Sequence, residues 1–260
     1  MTVARILIVA GSDSGGGAGI QADLKTVMAL GGHGMTAITA ITAQNTLGVT
    51  RAMAVPADMV LAQIDSVLSD IGVDAVKIGM IGSADVANAV ADRLAQLDGV
   101  PVVFDPVMVA TSGAVLADPA TIAAFARLMT LATVVTPNLP ELAALAGTAD
   151  VDAAARILVA RHGGAVLAKG GHGEGAVLTD RLFTADAVTE WRDPRIETRH
   201  THGTGCTLAS AIATGLGRGL TLVAAVTEAR AFVRAALLAA PGLGGGHGPM
   251  GHGLIPNGQA

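Results

Sequence analysis

Short runs of Val, Ile and Ala alternate along this chain with longer segments of helical period, the pattern of parallel strands joined by crossover helices. The first unit carries the logic. Residues 6–10 read as a buried strand, 12–18 as a glycine-rich loop, and 20–30 as a helix with Leu24, Val27 and Met28 on one side, ended by Gly31-Gly32. Further strands are predicted at 36–43, 75–80, 102–105, 133–136 and 165–168. The clearest helix between them is 58–71, where Val60, Ile64, Val67, Leu68 and Ile71 recur at helical spacing. From 176 to 197 the pattern changes to short alternating runs, which predicts an antiparallel edge on the otherwise parallel sheet. Helices return after Gly205. The Gly-rich tail from Gly242 on, with His247 and His252, has little to pack and is expected to be a loop or frayed end.

No repeat or linker divides the chain, and 260 residues suit one large α/β domain, so residues 1–260 are read as a single domain. With 51% hydrophobic and 14% charged residues, burial outweighs the conformational entropy of folding, which excludes disorder. Ala and Gly inflate the mean hydropathy of +0.57. No apolar run reaches the roughly 18 residues that a membrane helix needs, so no membrane association is expected. The opening Arg5-Ile6-Leu7-Ile8-Val9-Ala10-Gly11 is too short for a signal segment and runs straight into Ser12-Asp13-Ser14. A single cysteine permits no internal disulfide, so the cytoplasm is the expected compartment. Net charge is −5, basic residues form no stripe and aromatic residues are few, which argues against nucleic acid as a partner.

Three glycine-rich segments could hold phosphate. Gly17-Ala18-Gly19-Ile20-Gln21-Ala22 follows a strand in the loose dinucleotide pattern, but the second strand ends at Ala43-Gln44 with no acid to hold a ribose. Gly171-His172-Gly173-Glu174-Gly175-Ala176 leads into strand-like Val177-Leu178-Thr179 and reads as a hairpin turn. Neither contains the Gly-Lys-Ser or Gly-Lys-Thr of a P-loop. His202-Gly203-Thr204-Gly205-Cys206-Thr207 differs, because it precedes an apolar helix over about 208–216 and sets backbone N–H groups at a helix N-terminus, where anions bind. Donors fixed where negative charge grows are a main source of catalysis in phosphoryl transfer. A tight turn capped by Thr204 explains the same residues equally well.

Gly203-Thr204-Gly205-Cys206, taken with Ala10-Gly11-Ser12-Asp13-Ser14-Gly15-Gly16-Gly17-Ala18-Gly19-Ile20-Gln21-Ala22-Asp23-Leu24-Lys25-Thr26, resembles the bacterial hydroxymethylpyrimidine/phosphomethylpyrimidine kinases of thiamine biosynthesis. Ala43-Gln44-Asn45-Thr46, Lys77-Ile78-Gly79-Met80, Asp105-Pro106-Val107-Met108, Thr136-Pro137-Asn138-Leu139-Pro140-Glu141 and Lys169-Gly170-Gly171-His172 follow in the family's order and extend the resemblance over nearly the whole chain. It implies a ribokinase-like three-layer fold, with a mostly parallel sheet between helices and an antiparallel edge. It further implies that ATP, with Mg²⁺, phosphorylates the pyrimidine's hydroxymethyl group and then the monophosphate. A homodimer is expected.

By the same resemblance Gly203, Thr204, Gly205 and Cys206 are catalytic. Cys206 stands where related sugar kinases carry an Asp base, and a thiol at a helix N-terminus should have a lowered pKa, leaving a thiolate to accept the hydroxyl proton. A buried structural cysteine is the competing view. Gln44, at a strand's carboxyl end, offers a donor and an acceptor to an aminopyrimidine edge. The resemblance makes it the substrate-reading residue, with Gly11, Asp23, Met80 and Val107 lining the same pocket. Lys169 would meet an ATP phosphate as a point charge, and Asp105, Asn138 and Glu141 would hold a hydrated Mg²⁺. Asn138 and Glu141 also read as a helix cap and its third residue, and both roles can coexist. His200, His202, His247 and His252 match no zinc spacing.

Two other functions compete. A pyridoxal or pyridoxine kinase of the same fold would act on a hydroxymethyl group on a nitrogen heteroaromatic ring; Gln44 and Met80 favour the pyrimidine. A non-catalytic pyrimidine-phosphate sensor would not need the 203–206 loop, Lys169, Asn138 and Glu141.

Overall fold

A computed structural model describes residues 3–173 and 175–253; residues 254–260 of the expected tail and Glu174 of the expected turn lie outside the described residues. In chain order the elements are β1 (Arg5–Asp13), α1 (Gly19–Ala29), β2 (His33–Asn45), β3 (Gly48–Ala54), α2 (Ala57–Asp70), β4 (Ala75–Ile78), α3 (Ala84–Leu94), β5 (Val102–Phe104) and α4 (Pro119–Leu131). There follow β6 (Val134–Val135), α5 (Leu139–Ala146), α6 (Val151–His162), β7 (Ala165–Ala168), β8 (Val177–Phe183), β9 (Val188–Pro194), α7 (Thr204–Gly217) and α8 (Leu222–Leu238).

The strands form one sheet in the order β3-β2-β1-β4-β5-β6-β7-β8-β9. Neighbours from β2 to β7 are parallel, whereas β3, β8 and β9 run antiparallel to theirs. The architecture is the ribokinase-like α/β fold, and β8 and β9 are the antiparallel edge expected at 176–197. β3, a second antiparallel edge on the opposite side, is not among the predicted strands. No residue of β3 is buried, so no alternation of apolar and polar positions marks it.

Each central strand is covered on both faces, which is why its residues read as unbroken apolar runs. Leu7, Val9, Val76, Ile78, Phe104 and Val135 pack toward α2, α3 and α4, and Phe104 meets Phe125 edge to face at 5.2 Å. Ile6, Ile8, Ala75, Val103, Val134 and Leu167 point the other way, toward α1, α7 and α8. α5 and α6 lie over Val166, Ala168 and Phe183. Because β1 sits between β2 and β4, successive connections leave it in opposite directions. The crevice beyond its carboxyl end is where an open α/β sheet takes a ligand.

The tail is a loop as far as residue 253, but the expectation that it has little to pack is corrected. Met250 and His252 are buried, the Gly251 N–H donates to Ala236 O at 2.9 Å, and His252 Nε2 lies 2.8 Å from Thr207 Oγ1. Among the described residues no helix is long and apolar enough to cross a membrane.

Candidate active site

α7 begins at Thr204, four residues earlier than the periodicity predicts, and its cap is Gly203, at φ +85°. A Cβ on Gly203 would lie 1.9 Å from Gly17 O, so only glycine fits this turn. Thr204 is therefore the first helical residue and not the N-cap, and no side chain caps the helix. Thr207 N–H donates to Gly203 O at 2.9 Å and Thr204 N–H to Thr201 O at 3.3 Å. The N–H groups of Gly205 and Cys206 find no acceptor among the described residues. Two free donors thus face outward at the positive end of a fourteen-residue helix.

These donors open into a cavity of about 770 Å³ at the carboxyl ends of the parallel strands. Gly11, Gln44, Met80 and Val107 line it, as do Asp105, Asn138, Glu141 and Lys169. Gly11 and Met80 adjoin, since a Cβ on Gly11 would meet Met80 Sδ at 3.0 Å. Asp105, just beyond β5, accepts from Lys169 Nζ at 2.7 Å and from Thr136 Oγ1 at 3.1 Å through Oδ1. A Cβ on Gly205 would stand 3.2 Å from Lys169 Nζ and 3.3 Å from Asp105 Oδ2, so the ion pair abuts the helix start. Burial works against the Lys169 ammonium, but Asp105 and Glu141 hold its pKa above the usual lysine value. Asn138 and Glu141 form a capping box on α5, with Glu141 N–H donating to Asn138 Oδ1 at 2.9 Å and Asn138 N–H to Glu141 Oε2 at 2.8 Å. Burial pushes the Glu141 carboxyl up to about 7, with Lys169 opposing.

Two expectations fail here. Asp23 is fully buried and does not line the cavity. It accepts from Lys77 Nζ at 2.8 Å and from Ser210 Oγ at 2.7 Å, forming an ion pair beneath the pocket. The Cys206 thiol is not lowered: burial pushes it up to about 11, against Lys77, which pulls it down. A helix N-terminus moves a thiol by less than the loss of its hydration does.

Three side chains that the sequence reading does not assign also shape the site. Asp13 accepts the N–H groups of Gly15, Gly17 and Ala18 at 2.8, 3.1 and 2.8 Å and so folds the glycine-rich loop after β1 around its carboxylate. His202 Nε2 lies 2.8 Å from Asp13 Oδ2 and 3.2 Å from Gln44 Nε2. Lys77 reaches the cavity from beneath. A local signal exists only for Asp13, whose place before Ser-Gly-Gly-Gly suits an Asx turn.

Comparison with known proteins bears on what this arrangement serves. A hydroxymethylpyrimidine/phosphomethylpyrimidine kinase of Rhizobium meliloti (strain 1021) is 50% identical over 255 residues, covering 95% of this chain and 96% of that protein. The thiamine biosynthesis bifunctional protein ThiED of Geobacter sulfurreducens is 48% identical over 253 residues, covering 95% of this chain and 52% of that protein. The pyridoxal kinase from Staphylococcus aureus in complex with AMP-PCP and pyridoxal superposes with a TM-score of 0.90 at 31% identity, over 99% of this chain and 96% of that one. The model of the family described as phosphomethylpyrimidine kinase matches residues 13–251, which takes in the Asp13 loop, the ion pairs and the 203–206 turn, and the chain belongs to that family.

Proposed function

We propose that this chain is an ATP-dependent kinase of hydroxymethylpyrimidine and of its monophosphate, acting in thiamine biosynthesis. The observation that carries the reading is the pair of unpartnered N–H groups on Gly205 and Cys206, which share one cavity with Lys169 and Gln44. In each transfer a substrate oxygen, of the hydroxymethyl group and then of the monophosphate, attacks the γ-phosphorus as its bond to ADP breaks. The charge spreading over the phosphoryl oxygens meets the N–H groups at the start of α7 and the Lys169 ammonium. Gln44 reads the aminopyrimidine edge, with Gly11, Met80 and Val107 as walls. For Cys206 to take the hydroxyl proton its thiol must first ionise, a step that Lys77 favours and burial opposes.

Asp105, Asn138 and Glu141 fit a hydrated Mg²⁺ better than a bare one. Among the described residues no cluster of three or more His, Cys, Asp or Glu stands ready to cage a metal. The donors are hard oxygens, and Asp105 Oδ2 takes no hydrogen bond from the described residues. When bound, Mg²⁺ neutralises phosphate charge. The AMP-PCP complex of the S. aureus pyridoxal kinase supports ATP as the donor. The same reading takes the protein as a cytoplasmic homodimer, supported by exposed Ile41, Leu47 and Met53 around the β2–β3 edge and by a lone cysteine.

The test follows ADP release with hydroxymethylpyrimidine, its monophosphate, pyridoxine and ribose offered separately. Turnover of the two pyrimidine compounds is expected. Turnover of pyridoxine alone would make the chain a pyridoxine kinase, and inactivity on both pyrimidines overturns the reading.

A further inference from the structure

His202 Nε2 touches two groups at once, Asp13 Oδ2 at 2.8 Å and the Gln44 amide nitrogen at 3.2 Å. A ring nitrogen either donates or accepts, and Asp13 decides which. Its Oδ2, the oxygen that faces His202, already accepts from Gly17 and Ala18, so no room is left on that atom for a carboxyl proton. Burial works against its charge, yet His202 and the backbone N–H groups keep its pKa below the usual carboxylate range. His202 therefore carries its hydrogen on Nε2 and donates it to Asp13.

An amide nitrogen beside that N–H sets donor against donor. Half a turn of the Gln44 carboxamide exchanges its oxygen and nitrogen in place. The far end of the amide is compatible with the same exchange. Thr42 Oγ1 has one hydrogen to direct either to Ser12 O at 2.9 Å or to the Gln44 atom at 3.1 Å, and with that hydrogen on Ser12 O its lone pairs accept from a Gln44 amide N–H. The His202 contact sets the orientation and the Thr42 hydroxyl accommodates it: Oε1 toward His202 and Nε2 toward Thr42.

We propose that Asp13 and His202 are a positioning pair that locks the Gln44 carboxamide in this orientation and so decides which way round a heteroaromatic substrate docks. The proposal rests on the reading of Gln44 as the substrate-reading residue. With the amide locked, a ring meets an acceptor at the His202 end and a donor at the Thr42 end. An aminopyrimidine edge, with an exocyclic N–H donor beside a ring-nitrogen acceptor, fits in one sense only, its amine toward Oε1. An analogue with an oxo group for the amine, and hence a ring N–H, sets like against like. His202 also directly precedes Gly203, whose carbonyl accepts from Thr207 in the first turn of α7. One residue thus registers the ring against the anion-binding turn.

The experiment compares kcat/KM for hydroxymethylpyrimidine with that for its oxo analogue in the unmodified enzyme, His202→Leu, His202→Gln and Gln44→Leu. His202→Leu is expected to lower the ratio by on the order of 100-fold, since a free amide can turn to suit either ring. His202→Gln, whose amide N–H can reach Asp13, is expected to restore most of it. If Gln44→Leu collapses the ratio and His202→Leu does not, the positioning pair is refuted while the reading of Gln44 stands. If Gln44→Leu leaves the ratio unchanged, that reading falls and the pair with it. Should His202→Leu fail to fold, nitrogen NMR of the unmodified enzyme decides, with a hydrogen on His202 Nε2 supporting the pair and a bare Nε2 overturning it.

Discussion

The ionisation of Cys206 is open to direct measurement, because it is the chain's only cysteine and iodoacetamide labelling read by intact mass reports that thiol alone. Cys206 is partly exposed and lines the cavity, so the reagent has a path to it. Burial sets its pKa at about 11, above the ordinary thiol value, and Lys77 and the Gly19 N–H offset only part of that. At pH 8 a thiol of pKa near 11 is ionised to roughly one part in a thousand, against about one part in four for an unperturbed one. Labelling should therefore be slow at neutral pH and accelerate about tenfold per pH unit, without levelling off until pH is close to 11. Circular dichroism at each pH confirms that the fold persists. A rate that levels off at or below pH 8.5 would refute the reasoning, since the helix N-terminus would then outweigh desolvation. If the thiolate is the base, kcat must climb with the same slope between pH 7 and 9. A flat profile there takes the hydroxyl proton by another route.

Lys77 and Asp23 are both fully buried at 2.8 Å, so Lys77→Met strands a buried carboxylate without its cation, leaving only the Ser210 hydroxyl to donate to it. A loss of about 3–5 kcal/mol is expected, or roughly 10 °C in Tm by calorimetry, and a fall of under about 2 °C would contradict it. Glu141 has a folded pKa of about 7, above that of an unfolded carboxyl, so the native state binds the proton more tightly. Its contribution to stability is complete below the unfolded pKa and is lost as pH rises toward 7. Glu141→Gln should flatten the urea-midpoint profile over that window and raise the Mg²⁺ concentration needed for half-maximal rate; a profile parallel to the unmodified enzyme's would count against it.

The parts of this molecule that sequence makes legible are those whose signal lies within a few residues. Buried strands such as Ala165–Ala168 need apolar residues on both faces, and the helix at Ala57–Asp70 needs them at a spacing that no loop would keep. The Asn138–Glu141 cap is likewise a local exchange of hydrogen bonds three residues apart. Two departures have physical causes of the same kind. β3 carries no burial pattern because none of its residues is buried, and the pKa of Cys206 depends on how deeply the finished fold buries a thiol.

Asp13 and His202 mark where local signals end, because 189 positions separate them and neither has a sequence neighbour that specifies the contact. Only the assembled fold brings β1's carboxyl end beside the turn before α7. The geometry of that approach is steep: a Cβ on Gly17 would come within 2.5 Å of His202 Cδ2, and one on Gly203 within 1.9 Å of Gly17 O. The glycines that the sequence reading treats as two separate phosphate-loop candidates are thus the two faces of one contact. Gly17-Ala18-Gly19 is glycine-rich so that His202 can approach Asp13, and no dinucleotide is needed to explain it. A bulky residue at Gly17 or Gly203 would part Asp13 from His202 and so free the Gln44 carboxamide.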